Sequence, residues 1–212
     1  MQAAIQQAID SSLDTIDDLN LMVYPSQDPK AHIAFVNELN RSSNSFPIST
    51  AIDPEYCTLN PQNFFWAGVR TESGRPIASV ATRLIDEDLI RLIQTGRLWA
   101  NRRPVAIPFK EFIYPDDAPR LEGKSVFGSG LYVHPEFRHM NIAGSLARLT
   151  MLMSERMFRP DWHACLRLKK PGMHTLRELG YSESYKVFRD GNRRGLNFRD
   201  VWLCFRPVDQ TV

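Results

Sequence analysis

The segment between residues 131 and 153 carries the residue types that a phosphate-binding site needs. Arg138 and His139 are basic, and no acidic residue occurs between Glu136 and Glu155. Small residues at positions 143–145 would let a ligand approach the backbone closely. The chemistry that this pattern favours is the binding of an anion.

Two strands and a helix must position these residues. The apolar run at 125–133 predicts a strand, and the alternation at 161–168 predicts a second one, with Trp162, Ala164 and Leu166 on one face. The apolar spacing between them predicts a helix that starts near Asn141 or Ile142. Its first turn would offer unpaired N–H groups and the positive end of the helix dipole to a phosphate. A strand–helix–strand unit of this kind pairs its strands in parallel, and the pattern alone fits a scaffold as well as a nucleotide site.

The rest of the chain supplies further elements. Residues 86–99 show helical spacing, whereas residues 100–124 contain four prolines and predict an irregular connection. The fold class expected is α/β, with a mixed, mainly antiparallel sheet, one parallel crossover and helices on both faces. The other predicted elements are helices at 1–19, after Asp28 and at 173–179, a hairpin at 64–85, and strands at 21–24, 181–188 and 201–208.

Composition narrows the function classes. The chain has 212 residues, of which 43% are apolar and 24% charged, with a net charge of +2. This balance gives no reason to expect nucleic acid or an acidic membrane surface as a partner. Cys57, Cys165 and Cys204 are widely separated, so neither a disulfide framework nor a metal site is expected. Without a signal sequence or a long apolar run, the expected location is the cytoplasm.

The segment from Leu131 to Met153 resembles the cofactor motif of the GNAT N-acetyltransferases. Those enzymes carry a strand of the form V-x-P, then R/Q-x-x-G-x-G/A at the start of a helix. Val133, Pro135, Arg138 and Ala143 match it, and Asn141 replaces the first glycine. Asparagine is the non-glycine residue that best tolerates a left-handed backbone, so the loop can keep its shape.

A second part of the resemblance lies downstream. The family typically ends its second cofactor helix with Y-x-x-x-G-F/Y, and here Gly180 and Tyr181 match while Leu176 replaces the tyrosine. The order of elements from residue 20 to 208 is also similar to the family's. The resemblance implies one domain over 20–208, with a helical extension at 1–19 and an insertion at 86–124.

The resemblance implies an acyl-CoA cosubstrate, most simply acetyl-CoA, and no metal. The pantetheine arm would follow the strand at 125–133, in the wedge where this strand and the strand at 161–168 separate. The amides of the following loop would hold the pyrophosphate. Lys169 and Lys170, just after the second of these strands, would either contact the 3′-phosphate or be surface lysines at the start of a helix. The cofactor-binding residues expected are Leu131, Tyr132, Val133, Arg138, His139, Met140, Asn141, Ile142, Ala143 and Gly144.

The proton-transfer residues are less determined, because Leu176 occupies the usual position of the general acid. Tyr185 and His174 are candidates for that role, and Tyr181 is a further possibility. The candidate bases are His134, which directly follows the cofactor strand, His163 and Glu136. Each of these residues has a purely structural alternative, such as sheet packing for Tyr185 and an exposed surface position for His174.

The function expected is therefore transfer of an acyl group from acyl-CoA to an unidentified amine. The alternatives are a catalytically inactive CoA-binding or regulatory module and, within enzymes, a longer-chain acyltransferase. A homodimer contact through the helix at 1–19 is one alternative to a helix that caps the core. The arginines at 189, 193 and 194 either form a solvated hairpin tip or border the acceptor site.

Overall fold

The fold is an eight-stranded sheet with helices on both faces. The computed structural model describes residues 2–41, 48–102, 109–168, 170–193 and 196–208. Within these ranges, short 3₁₀ helices span Thr50–Ile52 and Pro135–Met140. The helices are α1 (Gln2–Asp17), α2 (Pro29–Arg41), α3 (Leu89–Thr95), α4 (Ile142–Phe158) and α5 (Met173–Glu178). The strands are β1 (Leu21–Ser26), β2 (Phe64–Thr71), β3 (Pro76–Ile85), β4 (Phe109–Phe112), β5 (Ser125–Val133), β6 (Trp162–Arg167), β7 (Glu183–Arg193) and β8 (Leu196–Pro207).

The strand order is β1-β2-β3-β5-β6-β8-β7-β4. Strands β5 and β6 are parallel and are joined by α4, whereas the other neighbouring pairs are antiparallel. The predicted fold class is confirmed, including the single parallel crossover near the middle of the sheet.

Alternation along β6 assigns the two faces. Ala164 is buried in an apolar cluster with α3 residues such as Leu92. Trp162 and Leu166 share its face and are partly buried against the same cluster. His163 and Cys165 point to the opposite face, where they meet α4 and the start of the β7 hairpin. The helices α1, α4 and α5 therefore cover one face, and α2 and α3 cover the other.

The N-terminal helix caps the core on the α4 face. Ile9 and Ile16 of α1 are almost fully buried and share a cluster with Ile142, Leu146 and Leu149 of α4. The fully buried side chains at the contact give α1 a fixed position through the hydrophobic effect.

Three local predictions differ from the structure. The segment predicted to be irregular contains β4, which pairs with β7 at the sheet edge, because backbone pairing to a distant strand leaves little local sequence signal. Helix α3 is shorter than predicted: Asp88 is its N-cap and accepts from the Arg91 N–H at 3.0 Å, and Gly96 ends it with φ 77°. Strands β7 and β8 extend beyond the predicted bounds into the arginine-rich connection.

The described helices include none that combines the length and the apolar character needed to cross a membrane.

Candidate functional site

A wedge opens where β5 and β6 separate. Their parallel pairing starts at Ser125 and Trp162 and ends at Gly128 and Cys165. Beyond that point β5 continues to Val133 beside β3, and β6 continues to Arg167 beside β8. The two strands thus turn away from each other, and a cavity of about 530 Å³ lies between them.

A bulge in β5 shapes one wall of this wedge. The β3–β5 register shifts between Ser79 and Ala81, so that β5 has an extra residue near Gly130. Gly130 has φ 69°, in the left-handed region, and an added Cβ would lie 2.8 Å from the Ile52 side chain. Glycine is required here both by the backbone conformation and by the contact.

The floor of the wedge is built by Tyr181. Gly180 follows α5 with φ 80°, and the Tyr181 N–H donates back to the Leu176 carbonyl at 2.8 Å. This helix ending directs Tyr181 towards the point where β5 and β6 part. An added Cβ on Gly128 would lie 3.3 Å from the Tyr181 hydroxyl oxygen, so only glycine leaves ordinary space there.

The Tyr181 hydroxyl is buried and stays protonated. The side chain is 8% exposed and packs in one cluster with Cys165, whose thiol also lines the cavity. Burial raises the pKa of Tyr181 well above its ordinary value, and the neighbouring Cys165 thiol adds to the effect. The phenol is therefore protonated at neutral pH, so it carries a proton inside the wedge.

The loop after β5 leads into α4 by a short 3₁₀ helix. His134 caps this turn, since its Nδ1 accepts from the Glu136 N–H at 3.4 Å. Asn141 ends the turn with φ 56° and ψ 23°, the left-handed conformation that its residue type tolerates. Helix α4 begins directly afterwards at Ile142, so its first-turn N–H groups face the end of β5.

A second cavity of about 460 Å³ lies in front of this helix terminus. Three arginines line it, Arg138, Arg148 and Arg167, against a single carboxylate, Glu178. The Arg138 Nε donates to the Val133 carbonyl at 3.2 Å, which holds the guanidinium beside the loop. Together with the α4 dipole, these charges make the cavity attractive to phosphate.

The two cavities are adjacent. Leu131, Arg167 and Leu179 line both of them. Both lie along the part of β5 that has separated from β6, with Arg138 at one end and Gly128 and Tyr181 at the other.

The expected cofactor-binding residues divide into two groups. Leu131, Arg138, Asn141, Ala143 and Gly144 line the arginine-lined cavity. The others have side chains elsewhere: Val133, Met140 and Ile142 pack in the α1–α4 cluster, Tyr132 packs on the α2 face, and His139 is exposed. These five residues would contribute to the expected site only through their backbone groups. Lys169 and Arg194, which the sequence also singled out, lie outside the described residues.

The three catalytic candidates lie apart from the wedge lining. Tyr185 is on the α3 face, where its ring stacks on Phe205 with centroids 5.8 Å apart. His134 is 4% exposed, and its Nε2 lies 3.2 Å from an Arg75 nitrogen. His174 has an exposed side chain that pairs with Glu178 at 3.2 Å. Sequence reasoning ranked Tyr181 below these residues, although its place after Gly180 is a usable signal.

Arg148 and Arg167 were also missed as cavity residues. Arg148 lies one helical turn after Gly144, and Arg167 shares the face of Cys165 in the β6 alternation, so helix and strand periodicity could have found both. Among the described residues, no group of three or more His, Cys, Asp or Glu side chains is arranged to hold a metal ion.

Comparison with known proteins shows similarity in structure alone. No protein-family model matches the sequence, and no curated protein matches it either. NAA60 of Arabidopsis thaliana, solved in complex with acetyl-CoA, superposes with a TM-score of 0.52 at 12% identity, over 88% of this chain and 100% of that one. The spermidine N-acetyltransferase of Vibrio cholerae, solved as a dodecamer, gives a TM-score of 0.52 at 11% identity, over 89% of this chain and 94% of that one.

The Vibrio cholerae protein is an acetyltransferase by name, and the two structures superpose on 88% and 89% of this chain. An identity of 11–12% is informative about architecture only. The mixed sheet, with its one parallel pair β5–β6 and its helices, agrees with this comparison. The chain therefore has the fold of the GNAT acetyltransferases.

Proposed function

We propose that this protein is an acyl-CoA-dependent N-acyltransferase that transfers an acetyl group from acetyl-CoA to an amine. The observation that carries the proposal is the placement of the arginine-lined cavity next to the wedge, with Leu131, Arg167 and Leu179 lining both. One end is suited to the phosphates of CoA, and the other is a narrow, mainly apolar space with one phenol at its floor. The similarity to NAA60, whose structure contains acetyl-CoA, supports the same choice of cosubstrate.

The cofactor would bind in an extended form along β5. Its pyrophosphate would face Arg138 and the first turn of α4, where charge and N–H groups favour it. The pantetheine arm would run along the backbone of Leu131–Val133, where β5 has left β6. The thioester would then reach Gly128, next to Tyr181 and Cys165.

Transfer by direct attack uses few protein groups. The amine nitrogen attacks the thioester carbonyl carbon, the C–N bond forms, and the C–S bond breaks. A backbone N–H of β5 beside the thioester, past the last residue that pairs with β6, can stabilise the oxyanion, a contribution typically worth about 10²–10³ in rate. The ammonium proton leaves to water, and the CoA thiolate accepts a proton.

Tyr181 is the group we assign to that last step. It lines the wedge, is protonated, and lies beside the place proposed for the thioester sulfur. A positioned general acid typically contributes about 10²–10⁴ in rate. Tyr181 would thus replace the tyrosine that the family motif carries where this chain has the buried Leu176.

A CoA-binding module without turnover is the second candidate. The observation in its favour is Leu176, which is 2% exposed and has no group that can transfer a proton. This module would share the arginine-lined cavity and the path along β5. It would differ in leaving the thioester intact.

The experiment that tests the proposal has two steps. Isothermal titration with CoA and acetyl-CoA measures binding, and no binding at millimolar ligand would refute both candidates. Release of free CoA thiol from acetyl-CoA is then followed across a panel of amines, each compared with a reaction without the amine. Amine-dependent release supports the transferase, and binding without release across the panel supports the module.

A further inference from the structure

The N-terminal helix presents a polar edge to the arginine-lined cavity. Ser11, Ser12 and Thr15 of α1 line this cavity, across from Arg138 and Arg148. Resting on the proposed function, we propose that α1 is part of the cofactor site and that its hydroxyl edge contacts the phosphates of CoA.

Packing against α4 holds α1 in the position that a contact with the phosphates requires. Its apolar side, with Ile9 and Ile16, is buried against Leu146 and Leu149 of α4. Near the other end of α4, Arg156 donates to the Gln6 side chain at 2.5 Å. The helix that offers its N-terminus to the phosphates therefore also holds α1 beside them.

The hydroxyls on this edge can exchange their present hydrogen bonds for bonds to a ligand. Ser12 donates to the Ala8 carbonyl at 2.9 Å, and Thr15 donates to the Ser11 carbonyl at 2.8 Å. Such bonds to the preceding turn are replaceable, since the helix carbonyl keeps its backbone donor. Ser11 is exposed at the cavity and can turn its hydroxyl towards a phosphate oxygen without breaking a bond of this kind.

The acidic side chains of α1 lie outside the lining of the arginine-lined cavity. The charged residues of this helix are all acidic, namely Asp10, Asp14 and Asp17, and none of them lines the cavity. The edge that faces the cavity carries only neutral hydroxyls. A carboxylate on that edge would oppose phosphate binding, because like charges at close range repel.

The test changes the sign of charge on this edge and measures CoA affinity by titration calorimetry. We expect Ser11→Asp and Thr15→Asp each to weaken CoA binding about tenfold or more, which corresponds to about 1.4 kcal/mol per tenfold. Thr15→Lys should tighten binding, since it adds a cation beside the phosphates. Ala3→Asp is the matched control: it adds the same charge to an exposed position of the same helix outside the cavity lining.

A second readout separates contact from a general effect on the fold. Acetyl transfer from N-acetylcysteamine thioester, which lacks all phosphates, should proceed at the wild-type rate in these variants. Equal affinities for CoA in wild type, Thr15→Asp and Thr15→Lys would overturn the inference while leaving the proposed function intact. A loss in Ala3→Asp as large as in Thr15→Asp would overturn it as well, and absence of CoA binding in the wild type would remove both proposals together.

Discussion

Tyr181→Phe removes one oxygen atom from the wedge and leaves its shape almost unchanged. The ring is held by a cluster that includes Met151, Leu176 and Leu179, and phenylalanine can keep those contacts. The variant should therefore fold and bind CoA.

Turnover is expected to respond much more strongly than binding. If the hydroxyl protonates the departing thiolate, its removal should lower kcat by about 10²–10⁴, which corresponds to roughly 3–5 kcal/mol in the barrier. Affinity for CoA should change less than about threefold, because the phosphates and most of the pantetheine lie outside the reach of this hydroxyl. The measurements are steady-state thiol release with a saturating amine and calorimetric titration with CoA.

Tyr185→Phe provides the matched control. It makes the same chemical change on the opposite face of the sheet, where Tyr185 stacks on Phe205. Its kcat should stay near the wild-type value. A fall of less than about threefold for Tyr181→Phe, or a larger fall for Tyr185→Phe, would refute the assignment of the proton donor.

Three further results follow from the same geometry. Arg138→Glu should weaken CoA binding about tenfold or more, whereas Arg91→Glu, at an exposed position of α3 on the opposite face of the sheet, should leave affinity unchanged in titration calorimetry. Gly130→Ala should cost about 1–2 kcal/mol in urea unfolding, because φ 69° strains any residue with a Cβ; the same change at Gly172, where nothing lies near an added Cβ, should cost little. His32→Leu should make the free energy of unfolding less dependent on pH in the acid range. Burial lowers the pKa of His32 to about 4, so the folded state favours the neutral imidazole. Wild-type stability therefore falls as the pH drops from about 6.5, the unfolded value, towards 4. Between pH 7.5 and pH 5, the free energy of unfolding in urea should fall by about 2 kcal/mol less in the variant than in the wild type. Equal falls in the two proteins would contradict this account.

Local patterns predicted the scaffold of the site well. The alternation at 161–168 identified the two faces of β6, and the structure buries Ala164 on the α3 face while Cys165 faces the wedge. Gly180 was expected after a helix and has the left-handed conformation that ends α5. These features depend on residues close together in sequence, so periodicity and turn chemistry are sufficient to find them.

Features made by distant segments were harder to predict. Strand β4 exists through its pairing with β7, roughly 80 residues away along the chain, and its own sequence is bounded by prolines. Tyr185 and Tyr181 look alike in sequence. Their separation to opposite faces of the sheet depends on the helix ending at Gly180 and on the register of β7 with β8.

The sequence by itself determined the order of elements, the parallel crossover and the loop that carries Arg138 and Asn141, because each is encoded by local spacing and by residue type. Only the tertiary structure decided which side chains meet. It brought Arg148, Arg167 and the hydroxyls of α1 into one cavity with Arg138, and it placed Tyr181 where β5 and β6 part. The physical reason is that these contacts depend on how α1 packs on α4 and on where two strands stop pairing, and both are set by the apolar core as a whole.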